Sequence, residues 1–142
     1  MGSNTRLRKA AAVVAIGAGM TLAGMAPAMA AAATVSADPN TGLAPGQTIT
    51  VSGSGFAAGS TLRVAECGVG DAGLGSCNAA DASQVTTDGN GAFTTQLTLR
   101  MTFDGVDGNG NPGGAVDCSK EECFVVAVDT ESTAATTPIS FG

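Results

Sequence analysis

Four cysteines are the residues of this 142-residue chain whose type and spacing could carry chemistry. They fall into two close pairs, Cys67 with Cys77 and Cys118 with Cys123. A zinc site would need matched Cys-x-x-Cys spacings or histidine, and the chain has neither. An even number of cysteines behind a secretory leader is instead typical of a disulfide framework. Four cysteines allow three pairings, of which the local one is the simplest because each bridge then closes one small loop.

The other polar residues give little support for catalysis by the polypeptide. No histidine is present to act as a base, and bridged cysteines are not nucleophiles. Two carboxylate pairs, Glu121 with Glu122 and Asp104 with Asp107, are close in sequence. A working pair must face across a groove, whereas neighbouring charges on a loop are usually solvated. The chain is therefore predicted not to be an enzyme.

The segment 104–111 places acidic and amide oxygens at intervals that resemble the first half of a calcium loop. Pro112 stands where the loop glycine should be, and Cys118 stands where a bidentate glutamate should be. No metal site is predicted, and a glycine-rich hairpin tip that could cover a groove is the favoured interpretation.

The first 30 residues have the pattern of a secretory signal peptide. A positively charged head is followed by the small apolar residues 10–26 and by Ala28-Met29-Ala30, a small-x-small cleavage site. The apolar run is too short and too rich in alanine for a good membrane span, and no membrane partner is expected. We expect residues 1–30 to be removed, so that 31–142 form one secreted, extracellular domain.

The charge of the chain argues against direct binding of nucleic acid. Removing the leader leaves three basic residues against all 12 acidic residues, a net charge of −9. Such a chain has no basic stripe with which to neutralise a phosphate backbone. Attraction to basic proteins or to a cationic ligand is compatible with the charge, and solubility is a sufficient explanation for it.

The region after the leader predicts strands and turns, with no window of helical periodicity. Short runs of β-branched residues alternate with glycine-rich turns. Residues 84–87 and 93–99 flank Asp88-Gly89-Asn90-Gly91, a strong hairpin signal. About seven short strands of this kind predict an all-β fold, a seven-stranded antiparallel sandwich of the immunoglobulin type.

One predicted strand is apolar on both faces. If Val125 and Ala127 point into the core, then Phe124, Val126 and Val128 form a second apolar row that points outward. Such a row is typical of a ligand groove or a contact surface. It is equally typical of a strand covered by a neighbouring loop, and the residues alone do not decide between these.

Motifs spread along the whole chain resemble one known family. They are the two cysteine spacings with Asn78 and Asp117 beside them, the opening Pro39-x-x-Gly42-Leu43-x-x-Gly46, Thr86-x-Asp88, Leu97-Thr98-Leu99-Arg100 with Phe103 and Gly105, and the closing Ile139-Ser140-Phe141. Together they resemble the neocarzinostatin family, the apoproteins of actinomycete chromoprotein antibiotics.

The resemblance implies a seven-stranded sandwich with two local disulfides, Cys67–Cys77 and Cys118–Cys123. It also implies a cleft beside the sheet that holds an enediyne chromophore noncovalently, which the protein stabilises and carries. DNA is then damaged by the chromophore and not by the polypeptide. No covalent cofactor is implied, and a monomer is expected.

The resemblance also assigns positions to the cleft. Val69 falls where the best-known members carry tryptophan or another apolar residue, and Ala82 and Gly108 fall where some carry phenylalanine. Because the chain has no tryptophan or tyrosine, less stacking surface is expected. The full set of residues that the resemblance places at the cleft is Cys67, Val69, Cys77, Ala82, Phe103, Gly108, Phe124, Val126 and Val128.

A second interpretation belongs to a different functional class. The chain could be a secreted immunoglobulin-like interaction module that uses its outward apolar row against another protein and has no small-molecule cargo. Dimerisation that depends on concentration would favour the module, whereas genes for enediyne synthesis beside its own gene would favour the carrier.

Overall fold

The computed structural model describes residues 32–70 and 75–142, so the predicted signal peptide, residues 1–30, lies outside the described residues. The described part contains strands and turns and no α-helix, and no helix in it is long and apolar enough to cross a membrane. The predicted all-β class is confirmed. The strands are β1 (Thr34–Asp38), β2 (Thr48–Ser54), β3 (Thr61–Gly68), β4 (Ser76–Cys77), β5 (Ser83–Thr86), β6 (Phe93–Thr98), β7 (Thr102–Val106), β8 (Pro112–Asp117), β9 (Cys123–Asp129) and β10 (Ala134–Ile139).

Ten strands occur in these ranges where the sequence predicted about seven, and the three additional strands are neighbours in space. They are β4, β7 and β8, which extend the larger sheet to one side. β4 has only two residues, and β8 is rich in glycine with one β-branched residue, whereas β7 contains threonine, phenylalanine and valine, as a typical strand does. Pairing with neighbouring strands, and not intrinsic propensity, therefore makes β4 and β8 extended.

Two antiparallel sheets enclose the core. The smaller sheet has the order β1-β2-β6, and the larger has the order β10-β9-β3-β4-β7-β8, with β5 paired to β3 beside β4. Alternate residues of both sheets meet in one cluster, for example Ile49 and Leu97 from the smaller sheet and Val64 and Val125 from the larger. Each is at most 2 % exposed, and burying a side chain of this size contributes about 1.5–3 kcal/mol.

The turn at residues 88–91 does not form the predicted hairpin. Its flanking strands pair elsewhere, β5 with β3 and β6 with β2, so the chain passes here from one sheet to the other. The turn itself is well made, because Asp88 Oδ1 accepts hydrogen bonds from the N–H groups of Asn90 and Ala92 at 2.8 and 3.0 Å. Turn residues determine where the chain reverses, whereas burial of the strand faces determines the pairing partners.

The cysteines form the two local disulfides. Cys67–Cys77 joins the paired strands β3 and β4, and Cys118–Cys123 closes the loop between β8 and β9. The structure therefore selects the pairing that the residues alone left open. Each short loop closed in this way contributes about 2–3 kcal/mol in the chain-entropy model.

Candidate functional site

The outward apolar row of β9 lies beside the outward residues of β3. In the register of this pair Val126 is opposite Ala65 and Val128 is opposite Arg63. Val125 is fully buried while Val126 and Val128 are half-buried, as expected for residues that alternate between the core and the outer face. The two strands therefore present a continuous, largely apolar outer face.

A side wall rises from this face at β4 and the β7–β8 hairpin. Cys77 of β4 is paired with Val106 of β7, just before the hairpin turns. The tip is closed by Asp107, whose Oδ1 accepts hydrogen bonds from the N–H groups of Asn109 and Asn111 at 2.8 and 2.9 Å. This carboxylate holds the tip folded, which is the structural role of the segment that resembles half a calcium loop. No group of three or more potential metal ligands lies in residues 32–70 and 75–142.

The face and the wall enclose a groove with a volume of about 500 Å³. That volume lies within the usual range of small-molecule sites, about 300–1,000 Å³. Most of its surface is aliphatic, glycine backbone or disulfide, and no aromatic residue of the described ranges lines it. Its lining comprises Arg63, Ala65, Cys67, Cys77, Ala79, Val106, Asp107, Gly108, Gly110, Val126 and Val128.

Five of the nine residues that the family resemblance placed at a cleft come together around this groove. They are Cys67, Cys77, Gly108, Val126 and Val128. The disulfide lies where the β3 face meets the side wall, and Gly108 lies at the hairpin tip. Residues from four separate parts of the chain thus line one surface.

The other four predicted residues do not line the groove. Phe124 continues the outward row of β9 opposite Cys67, beyond the groove lining. Phe103 is half-buried, packs against the core and borders a different surface depression. Val69 is 44 % exposed, and Ala82 is half-buried in the turn before β5.

Six lining residues were not among those that the resemblance placed at the cleft, although three of them lie in the segment 104–111, which was interpreted as a hairpin tip that could cover a groove. Arg63 and Ala65 precede Cys67 by four and two residues, so strand periodicity alone could have placed all three on one face. The others depend on the fold: Ala79, Val106, Asp107 and Gly110 reach the groove through the β4 pairing and the hairpin. No spacing in the sequence indicates that this hairpin lines a groove together with β3 and β9 in particular.

A buried carboxyl group lies beneath the groove floor. Glu66 alternates with Ala65 and Cys67, points to the inner side of β3 and is 1 % exposed. Its Oε1 accepts a hydrogen bond from the N–H of Arg100 at 2.7 Å, and its Oε2 lies 3.6 Å from Cys118 Sγ. Burial raises the pKa of Glu66 to about 7, against the opposing effect of the Arg100 amide.

The two arginines of the described domain differ in their partners. The Arg100 guanidinium donates to both carboxylate oxygens of Asp81, at 3.0 and 3.3 Å, and Asn78 Nδ2 donates to the same carboxylate. Hydrogen bonds from Arg100 and Asn78 lower the pKa of Asp81. The side chain of Arg63, in the groove, makes no hydrogen bond or ion pair with any residue in the ranges described.

Comparison with known proteins identifies the family. The model of the neocarzinostatin family matches residues 35–141. Macromomycin from Streptomyces macromomyceticus is 37 % identical over 118 residues, which cover 82 % of this chain and 81 % of that protein. The antitumor antibiotic C-1027 apoprotein from Streptomyces globisporus is 41 % identical over 113 residues, which cover 78 % of this chain and 77 % of that protein.

A solved structure of macromomycin has the same fold. It superimposes with a TM-score of 0.74 and 35 % sequence identity, covering 78 % of this chain and all of that one. The family match covers nearly all of the described sandwich, including both disulfides and every strand that lines the groove. This chain belongs to the neocarzinostatin family.

Proposed function

We propose that this protein is a secreted carrier that holds an enediyne-type chromophore noncovalently in the groove on the outer face of β3 and β9. The chromophore would be stabilised while bound and would damage DNA after release. The polypeptide itself is not an enzyme, since it belongs to a family of carrier apoproteins. The net negative charge of the protein is consistent with DNA being bound by the cargo and not by the polypeptide.

The proposal rests on one observation: a chain of this family has a groove on the outer face of β3 and β9. It has the volume of a small-molecule site and a mainly apolar wall, and the β7–β8 hairpin tip encloses one side. An apolar row on the outer face of a two-layer sandwich lies outside the core and contributes less to folding than the inner row. Val126 and Val128 are therefore better explained by a ligand than by core packing.

The lining suggests how a cargo would be held. Aliphatic side chains, glycine backbone and the Cys67–Cys77 disulfide would contact it by close packing, and sulfur supplies a soft, polarizable surface. Stacking would contribute little because no aromatic residue of the described ranges lines the groove. Affinity would then depend mainly on complementary shape and on the apolar area buried.

The decisive experiment is native mass spectrometry of the protein secreted by its own producer and kept cold and dark. A noncovalent adduct of small-molecule mass that disappears on denaturation would support a carrier, and its mass would begin to identify the cargo. The mass of the polypeptide in the same spectrum would locate the cleavage site of the signal peptide. Repeated recovery of bare polypeptide would contradict the proposal.

Two matched alanine variants test where the adduct sits. Ala65 is half-buried in the groove floor, so Ala65→Phe should fill the groove and abolish the adduct. Ala115 lies exposed on β8 and does not line the groove, so Ala115→Phe should leave the adduct intact. Both variants should melt close to the unchanged protein, because neither side chain enters the core. Loss of the adduct in both variants, or in neither, would place the cargo elsewhere.

A further inference from the structure

We propose that Arg63 selects the cargo of this groove, and that the groove takes an apolar body bearing an acidic oxygen, such as a carboxylate or phenolate. The inference rests on the proposed carrier function and goes beyond it by naming the charge of the cargo. It predicts that a ligand with an ammonium group near β3 is rejected.

The location of Arg63 carries the first step. Arg63 is exposed on the outer face of β3, opposite Val128 and two residues from Ala65, and it lines the groove together with these largely apolar neighbours. A guanidinium is charged at all relevant pH values and presents five N–H donors in a plane. Such a group can hold two oxygens of one acidic group at once, which fixes orientation as well as charge.

The Arg63 side chain has no ion-pair partner in the part of the chain that the structure describes. The domain has two other basic residues, and Arg100 is committed to Asp81 through two hydrogen bonds. Within residues 32–70 and 75–142 Arg63 has no such partner, although acidic residues greatly outnumber basic ones. An uncommitted guanidinium beside an apolar groove is therefore available to a ligand.

The other charged residue of the groove forms no ion pair with Arg63. Asp107 lines the groove from the hairpin tip, and it forms no ion pair within the described ranges. Its Oδ1 is occupied by the N–H groups of Asn109 and Asn111. A ligand with its acidic oxygen at Arg63 and its apolar body over Val126 would match the charge and surface of β3 and β9.

A purely structural role for Arg63 would have a different effect on ligand binding from selection by charge. Long basic side chains often cover apolar surface with their stems, and Arg63 could cover Val128 in this way. A side chain that only covers the strand would affect every apolar ligand alike. Discrimination between ligands that differ in charge alone would therefore distinguish selection from coverage.

Two fluorescent probes of nearly the same shape provide this test. Anilinonaphthalene sulfonate carries an acidic group on an apolar aromatic body, and phenylnaphthylamine is the same body without that group. The purified, ligand-free protein should bind the sulfonate more tightly in fluorescence titrations, and Ala65→Phe should abolish binding of both probes.

Three variants then isolate Arg63. Arg63→Met should weaken sulfonate binding about tenfold or more and change phenylnaphthylamine binding less than about twofold. Arg63→Lys should retain part of the preference, because the charge remains while the planar fork is lost. Lys120→Met removes the same charge outside the groove and should change neither affinity by more than about twofold.

Each possible result bears on the inference. Equal affinity for the two probes, or equal effects of Arg63→Met and Lys120→Met on sulfonate binding, would overturn the role of Arg63 and leave the carrier proposal standing. Failure of both probes to bind would overturn the inference together with the groove as a small-molecule site.

Discussion

Replacing Glu66 by glutamine should remove a pH dependence from the stability of this protein. The carboxyl group is 1 % exposed beneath the groove floor, and Oε1 accepts the N–H of Arg100. A bridged sulfur carries no hydrogen, so Oε2 can hydrogen-bond to Cys118 Sγ only while the carboxyl group holds its proton. Glutamine keeps an oxygen for Arg100 and an N–H group for the sulfur, and it does not ionise.

The sign and size follow from the pKa. Burial raises the pKa of Glu66 from an ordinary value of 4.5 to about 7 in the folded protein. Below pH 4.5 the carboxyl group is protonated in both the folded and the unfolded chain, and it does not reduce the free energy of unfolding. Between pH 4.5 and 7 only the unfolded chain ionises, so the free energy of unfolding falls as pH rises. At 1.36 kcal/mol for each pKa unit, the loss above pH 7 is about 3 kcal/mol.

Urea unfolding with the disulfides intact, repeated from pH 4 to pH 8, measures this difference. The Glu66→Gln variant should match the unchanged protein at pH 4 and exceed its free energy of unfolding by about 3 kcal/mol at pH 8. Asp81, Asp88 and Asp117, with lowered pKa values, lose their contribution as pH falls, but they do so equally in both proteins. Glu131→Gln, which removes an exposed carboxylate, is the matched control. Parallel pH profiles for the Glu66 variant and the unchanged protein would refute the reasoning.

Two further tests each compare substitutions at two nearby positions, one pair on β9 and one pair in the turn at residues 88–91. Val126→Thr should weaken phenylnaphthylamine binding roughly threefold to tenfold with little effect on urea unfolding, whereas Val125→Thr, in the core, should cost about 1–3 kcal/mol of stability. The reverse pattern would place Val126 in the core and Val125 at the groove, contrary to the structure. At the turn between the sheets, Gly91→Ala should cost about 1–3 kcal/mol, because its φ is +76° and a Cβ would overlap the carbonyl of Phe56. Gly89→Ala, with open space around it, should unfold within about 1 kcal/mol of the unchanged protein, and equal losses at both glycines would contradict this account.

Local features of the sequence predicted much of the fold. The composition of residues 93–99 predicted a strand, and Phe93, Leu97 and Leu99 of this segment lie in the core. The turn at 88–91 forms where its residues indicate, but it joins two sheets and not two paired strands. Chain reversal is a local property, whereas strand pairing depends on which faces can be buried together.

The candidate site was only partly visible in the sequence. The outward row of β9 was identified because apolar residues on both faces of a strand break the pattern of a two-layer sandwich. Glu66 was overlooked, although it falls on the inner face in alternation with Val64 and should have been recognised as a buried acid. Its position between two residues of the groove floor links the core to the proposed binding surface.

The sequence by itself determined the all-β class, the two close pairs of cysteines, the acidity of the domain and, through its motifs, the family to which it belongs. These properties follow from residue types and short spacings along the chain. The tertiary structure decided that the β7–β8 hairpin stands beside β3 and β9, and that Arg63 faces the space between them. That arrangement depends on pairings between residues far apart in the sequence, such as Cys77 with Val106, which no local pattern encodes.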